Sequence, residues 1–557
     1  MPDPQPEQPV RVKLEGIGLE IEVKPGVSLF EAVRKAGLAI DSDCAGKGTC
    51  GQCRVRFLEG VPPPKAEDEA LLASQDVEDG WRLACQSYPT ADCRILIPQT
   101  APLARRRIRV LTAAAGEELR HRPPRRPTGV GYGVAIDVGT TTVVCYLMDL
   151  SQALQVGVAS FANPQTAFGP DVISRITYAH RGARELRELQ RRLIVAVEKN
   201  LLALCSQRNI APATVSAMTV VGNMTMMHIF RGVDPWPLGV APYEPVFRES
   251  PPLTGHELGF RRFAGARVQV LPGVAGHLGS DIVAGVVALD LPHRRGVSLF
   301  MDLGTNGEVV LCSERVVAGA SCAAGPAFEG VHIHSGMAAF PGAIERVDEE
   351  EGALRLDTID GVEPVGLCGS GLADAVVLLL RRGLLLPSGR LVAPDQVPPD
   401  VPADLRARVQ EDGEGRRFLL YKDGERGDII LMQRDIREVQ LAKAPLRAGV
   451  EMLLKECGLA AEEIDGVYVA GAFGSSIRSE TLLALGIVPE SVRGRIHAVG
   501  NTAGLGARLA LTSPKHMKEA GRLARSMRHV DLVLREDFRQ SFAENIPFPA
   551  LRESDRG

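Results

Sequence analysis

The sequence predicts a multidomain chain: a small α+β domain at the N-terminus, then a larger two-lobed α/β body with duplicated lobes. Three observations predict it. Residues 10–53 read as a β-hairpin, a short helix and a glycine-rich loop carrying Cys44, Cys50 and Cys53. A Pro- and Arg-rich stretch from Pro98 to Pro127 is weakly periodic and separates this unit from the remainder of the chain. Beyond it, an apolar strand, an Asp-x-Gly-Thr turn and a second apolar strand occur twice, at Asp137 and again 165 residues on (302 − 137) at Asp302. Such a repeat marks an internal duplication.

The totals bound the function classes. With 557 residues, 45 % hydrophobic and 24 % charged, the chain has the composition of ordinary globular domains. A net charge of −4 and only 4 % aromatic residues argue against a nucleic-acid partner. The start, MPDPQPEQPV, has no apolar core, and the chain holds no run of about 18 apolar residues, so neither a signal peptide nor a membrane span is expected. A cytoplasmic location is expected. Of the eleven cysteines, Cys93, Cys145, Cys205, Cys312, Cys322, Cys368 and Cys457 show no paired spacing and read as buried reduced thiols.

Residues 10–24 alternate: Val10, Val12 and Leu14, then Leu19, Ile21 and Val23 after a turn at Gly16 and Gly18. Ser28 precedes Glu31 by three residues, a capping box that starts a helix over Leu29–Lys35, with Gly37 past its end. The next loop gives Cys44, Cys50 and Cys53 the spacing C-x5-C-x2-C, and LACQ adds Cys85. Four thiolates in this order suit a 2Fe–2S cluster, since Gly46, Gly48 and Gly51 let backbone N–H groups approach the sulfurs. The blander readings are a zinc site or a disulfide pair; a zinc site usually takes two C-x-x-C pairs, and only Cys50 and Cys53 form one. Two strands, a helix and a cluster loop are the order of a ferredoxin β-grasp domain. Strands Arg54–Leu58 and Arg94–Ile97 complete it.

In the body, Asp137 ends a strand and Gly139, Thr140, Thr141 and Thr142 make the turn; Asp302, Gly304, Thr305, Asn306 and Glu308 occupy the matching places in the second copy. Glycine turns backbone N–H groups toward a phosphate and threonine hydroxyls add donors. The aspartates cannot touch phosphate oxygens, but can hold a water or, through water, Mg2+. Two facing hairpins can therefore clamp ATP between lobes. Between them, Gly169 and Pro170 open a helix with Asp171 in its first turn, and Arg184–Ser206 is a packing helix. Met224, Met226, Met227 and His228 read as a helix packed on a sheet, and Gly276, Gly279, Ser280 and Asp281 as a loop opening another helix. The His332-x-His334 pair, lacking a third ligand, reads as a strand with one exposed histidine. Gly369, Ser370 and Gly371 start a helix that welcomes an anion. Residues 383–430 are charged and form little core. Asp435 caps a long helix that Pro445 bends and Gly458 ends. The turn Gly471, Ala472, Phe473, Gly474 comes after a strand and offers backbone to an adenine ring, and the tail beyond Phe542 reads as peripheral.

With NPQTAFGPDVISRI, VGNMTMMH, DLGTNGE, CAAGPAFEG, CGSGLAD, QLAKAPLRAG and AGAFGSSI in view, the body resembles the acetate and sugar kinase/Hsc70/actin (ASKHA) superfamily, whose lobes are RNase H-like. Combined with the N-terminal cluster domain, the chain resembles the ATP-dependent reductive activators of corrinoid proteins. That resemblance implies a ferredoxin domain (1–98), a linker (99–130), a middle region with the first hairpin (131–207) and a C-terminal ASKHA region (208–557). It implies one-electron reduction of cob(II)alamin to cob(I)alamin in a corrinoid protein of a methyltransferase system, a separate electron donor, and a homodimer. Two other readings fit the residues less well: a small-molecule kinase with a redox-sensing ferredoxin domain, and an ATP-gated chaperone-like module.

Overall fold

The computed structural model describes residues 9–15, 19–36, 40, 48, 53–72, 74–97, 131–304, 306–413, 415–423, 427–471, 473–474, 476–533 and 535–551. Cys44, Cys50, Thr305, Ala472 and the 99–130 linker lie outside the described residues.

The N-terminal sheet has five strands in the order Leu19–Val23, Val10–Leu14, Cys93–Leu96, Arg54–Glu59, Trp81–Leu83. Val10–Leu14 pairs antiparallel with Leu19–Val23 and parallel with Cys93–Leu96. Helix Leu29–Lys35 packs on this sheet through Leu29 and Val33, and its start is capped as expected, Glu31 N donating to Ser28 Oγ at 3.3 Å. This is the β-grasp arrangement. The last strand starts one residue earlier than expected, and the three-residue strand Trp81–Leu83 is too short to have shown a period.

The body contains two six-stranded sheets built on one plan. In the first, Arg267–Val270, Val215–Gly222, Tyr132–Val138, Thr142–Asp149 and Leu154–Ala162 lie side by side. In the second, Ile496–Gly500, Ile464–Ala470, Val297–Leu303, Gly307–Cys312 and Val317–Cys322 repeat that order. Each sheet has three antiparallel strands, then two parallel ones reached through a 25-residue helix, Ala183–Gln207 or Gln433–Cys457. Nearly continuous apolar runs are the signature of strands covered on both faces, and Gly307–Cys312 is buried at every position. Because Val215–Gly222 pairs with Tyr132–Val138, the first lobe's sheet runs across the division expected at 207/208. Helices Ser280–Ala288 and Thr502–Thr512, each following the last parallel strand of its lobe, pack on one another between the sheets around Ala284, Ala503 and Phe300.

Several local expectations are corrected. Asp171 is the N-cap of Val172–Ala179 rather than a first-turn residue, and accepts from Ser174 N at 2.8 Å. Asp435 sits at the third position of its helix and accepts from Met432 N, so Met432 is the cap; the helix runs without interruption through Pro445. His332 and His334 lie in a turn, not a strand, with His332 at φ +66° and Arg434 donating to His334 Nδ1. The 383–430 segment forms the sheet Val409–Asp412, Gly415–Tyr421, Ile429–Met432 and buries Leu384, Leu391, Phe418 and Leu431 in the main core. The tail is tied down too: Phe548 is buried and Lys443 Nζ donates to Pro547 O at 2.6 Å.

Helix Met224–Arg231 is a packing helix, as its methionines suggested. Its His228 is buried with both ring nitrogens in use: Nδ1 lies 2.8 Å from Met224 O, Nε2 accepts from Val246 N at 3.1 Å, and the ring stacks on Phe247. Only the neutral Nδ1–H tautomer satisfies both contacts. Burial pulls its pKa from 6.5 down to about 4. The unfolded chain therefore takes up a proton that the native one refuses. The stability this neutral form contributes is full above pH 6.5 and is lost as pH falls toward 4, amounting to about 2 kcal/mol by pH 5. Denaturant unfolding at pH 7 and pH 5 is expected to show that loss in the wild type, and a shallower pH dependence by about that amount in His228→Gln.

Candidate functional site

The two hairpins lie close to one another: Asp302 feels the charge of Asp137, and Thr141 of the first hairpin bonds Glu329 of the second lobe. In the first, Gly139 N donates to Thr142 O at 2.9 Å; a Cβ at Gly139 would lie 2.6 Å from that same carbonyl, so the turn needs glycine. In the second, Gly304 N donates to Asn306 O at 3.1 Å, and a Cβ at Gly304 would meet no crowding. Packing within the chain does not require glycine there; the close approach of a ligand would. The first hairpin is propped from behind by buried Asn163, whose Nδ2 donates to Gly139 O at 2.8 Å and whose N donates to Thr141 O at 2.8 Å.

Four carboxyl groups share the bottom of the cleft. Asp302 and Glu308 stand directly opposite across the second hairpin. Asp137 is the last residue but one of the matching strand of the first lobe, and Asp281 is in the first turn of the helix Ser280–Ala288. They are enclosed but not sealed, Glu308 being buried and the aspartates half-buried. Burial, with repulsion from the neighbouring carboxylates, pushes Asp137 up to about 7 and Asp302 up to about 8, and raises Glu308 strongly. Burial alone pushes Asp281 up to about 6. Such a set is poorly served by its own protein and well served by a divalent cation. Among the described residues no three such donors converge closely enough to ligate one ion directly, so the donor set fits Mg2+ held through water.

The lobes address each other's aspartates. Asn501, N-cap of Thr502–Thr512 in the second lobe, donates from Nδ2 to Asp137 Oδ2 at 2.7 Å and accepts from Gly504 N. Asp281, at the equivalent helix start of the first lobe, is the strongest charged influence on Asp302. Asn223 caps Met224–Arg231 and donates to Thr140 Oγ1 at 3.0 Å. Sequence reasoning missed both asparagines, although each follows a strand ending Val-Gly, at Val221–Gly222 and Val499–Gly500, and a Val-Gly-Asn repeat was there to be read.

Gly471, at φ +88°, lies against the second hairpin; a Cβ on it would sit 2.6 Å from Asp302 Oδ1. Phe473 is buried and stacks on Phe328 at 4.3 Å. Gly369 and Gly371 are needed for packing, since a Cβ on either would strike the carbonyl of Phe328 or of Ile344, and Ser370 is buried beside Cys368.

In the N-terminal domain, Cys53 and Cys85 are buried with their sulfurs 3.2 Å apart. Ala84 N donates to Cys53 O at 2.7 Å, which pins the two segments together. Gly48 holds φ +78° with no room for a Cβ beside the Gln86 amide, which lies 3.7 Å from Cys85 Sγ. Two adjacent buried thiols beside a close-packed glycine fit an iron–sulfur cluster.

Residues 12–90 match the 2Fe-2S iron-sulfur cluster binding domain, residues 132–294 the RACo middle region, and residues 296–555 the C-terminal domain of RACo, the ASKHA domain. Fold and site thus define an ASKHA-type ATP-binding protein that carries a 2Fe–2S ferredoxin domain. The corrinoid activation enzyme RamQ of Eubacterium limosum is 33 % identical over 422 residues, covering 75 % of this chain and 70 % of its own. A reductase of Methanosarcina barkeri that acts on the Co(II) methylated amine-specific corrinoid protein is 25 % identical over 411 residues, 67 % of this chain and 68 % of its own. The solved structure of a reductive activator for corrinoid, iron-sulfur protein superposes with a TM-score of 0.68 at 29 % identity, over 97 % of this chain and 98 % of that one. The chain belongs to the reductive activators of corrinoid proteins.

Proposed function

We propose that this protein uses ATP to drive the one-electron reduction of a corrinoid protein, returning inactive cob(II)alamin to cob(I)alamin. One observation carries the reading: a single chain joins a buried pair of thiols to a site where carboxylates of two lobes feel one another's charge. Cys44, Cys50, Cys53 and Cys85 hold the cluster, which supplies a single-electron donor near roughly −400 mV. Asp137 and Asp302, with Asp281 and Glu308, hold Mg2+ through water, and Asn501 orients Asp137. Gly139, Thr140 and Thr141 on one side, and Gly304, Thr305 and Asn306 on the other, hold the phosphates. The turn from Gly471 to Gly474 lines the adenosine. The helix start at Gly369–Gly371 backs the wall of the cleft behind Phe328.

Co(II) in such proteins is a poor acceptor, and each 100 mV uphill costs about 2.3 kcal/mol per electron. ATP offsets that cost only if the nucleotide-bound protein prefers the partner state whose cobalt is easier to reduce. An external donor would reload the cluster, and the working unit is a homodimer in the cytoplasm, a setting that suits the seven free thiols outside the cluster set among the described residues. The test is anaerobic: the reduced protein is mixed with cob(II)alamin proteins, with and without ATP, while the cobalt absorption bands are followed. ATP-dependent cob(I)alamin is expected; its absence with every partner overturns the reading.

A further inference from the structure

Two motifs that the cluster and the carboxylates leave unused meet at the first hairpin. Thr141 Oγ1, in the first lobe, donates to Glu329 Oε2, in the second, at 3.2 Å. Glu329 ends the short turn Pro326–Glu329, bracketed by Gly325 at φ +73° and Gly330 at φ +79°. That turn is anchored in its own lobe: Phe328 stacks on Phe473, and Gly369 closes on the Phe328 carbonyl. Thr141 is equally fixed, its carbonyl held by Asn163 N. Behind the hairpin, Arg175 is fully buried, donating from Nε to Gly169 O at 2.9 Å; its Nη2 has no hydrogen-bond partner among the described residues, and it feels the charges of Asp171 and Glu329.

A threonine hydroxyl has one hydrogen. While Thr141 donates it to Glu329, it has none for a phosphate oxygen, and a carboxylate at that spot repels phosphate besides. We propose that Glu329 sets the affinity and the lobe coupling of the nucleotide site: it occupies the Thr141 hydroxyl, and incoming phosphates must displace it. Displacement breaks the Thr141–Glu329 contact between the lobes, and the Pro326–Glu329 turn passes the event, through Phe328, to the Phe473 turn of the same lobe. This rests on the reading of the hairpins as the phosphate clamp.

Calorimetric titration with ATP and with adenosine, on the full-length wild type and on Glu329→Gln, tests it. The amide keeps the shape and still accepts from Thr141, but loses the charge. A neutral hydrogen bond is weaker than a charge-assisted one, so ATP is expected to bind about fivefold tighter or more in Glu329→Gln, with adenosine unchanged. In a Thr141→Val background the same substitution is expected to tighten ATP less. ATP affinity unchanged or weakened in Glu329→Gln, or ATP and adenosine shifted alike, overturns the proposal while the clamp stands. A wild type that binds no ATP overturns the clamp and the proposal with it.

Discussion

Asp302→Asn is expected to abolish ATP-driven cobalt reduction while making the nucleotide-free protein more stable. Asp302 stands opposite Glu308 across one hairpin and feels Asp281 and Asp137 across the cleft. A site of four enclosed carboxylates is costly to fold without a cation, and evolution keeps such a cost where function requires it. The amide is neutral at constant volume, so it escapes both the repulsion and the cost of protonation that burial imposes on Asp302. The nucleotide-free chain is therefore expected to gain roughly 1 kcal/mol in denaturant unfolding. Under the proposed function the same change removes a ligand group for Mg2+ beside the phosphates, and losses of this kind reach about a hundredfold or more in rate. The 2Fe–2S absorption is expected to stay at the wild-type level, because the proposed cluster ligands are all in the N-terminal domain. Undiminished ATP-dependent reduction by Asp302→Asn, with Mg2+ present, would sink the assignment of this carboxylate.

The part of this site that was legible in the sequence was its local part. Alternation at Val10–Leu14 and the spacing from Ser28 to Glu31 are satisfied within a few residues, and they appear in the structure where they were expected. The repeated strand–turn–strand was legible for the same reason. The hidden part depends on partners far along the chain. Asn501 reaches Asp137 across 364 residues, and Glu329 reaches Thr141 across 188. No spacing rule speaks of such distances, although the Val-Gly-Asn repeat was a usable hint. The 383–430 segment misled because charge dilutes its apolar residues; Phe418 and Leu420 are nevertheless buried at alternating strand positions. His332 and His334 misled through period two, which a turn can mimic over three residues.

Cys85→Ser is expected to strip the cluster, and with it all electron transfer, while leaving ATP binding intact. In the proposed ligand set Cys85 comes from a different segment than Cys44, Cys50 and Cys53, so the domain must bring it to the Cys53 segment. The backbone does this: Leu83 N donates to the buried Asp68 carboxylate at 2.7 Å, Ala84 N to Cys53 O at 2.7 Å, and Phe30 N to Ala84 O at 3.0 Å. None of these bonds uses the Cys85 side chain, and serine is a near match in size, so the β-grasp core of Leu29, Val33, Val55 and Leu83 keeps its packing. The sulfur is lost, and iron in such clusters is held by thiolate. Visible absorption and iron content are therefore expected to fall to background in the full chain, and cob(I)alamin to be absent with or without ATP. ATP affinity, read by calorimetry, is expected to stay within about twofold, an effect of under 0.5 kcal/mol. Wild-type absorption in Cys85→Ser would remove this residue from the ligand set. A parallel collapse of ATP binding would mean that the two bodies fold as one, and that the cluster acts on the nucleotide site through structure rather than through the electron it delivers.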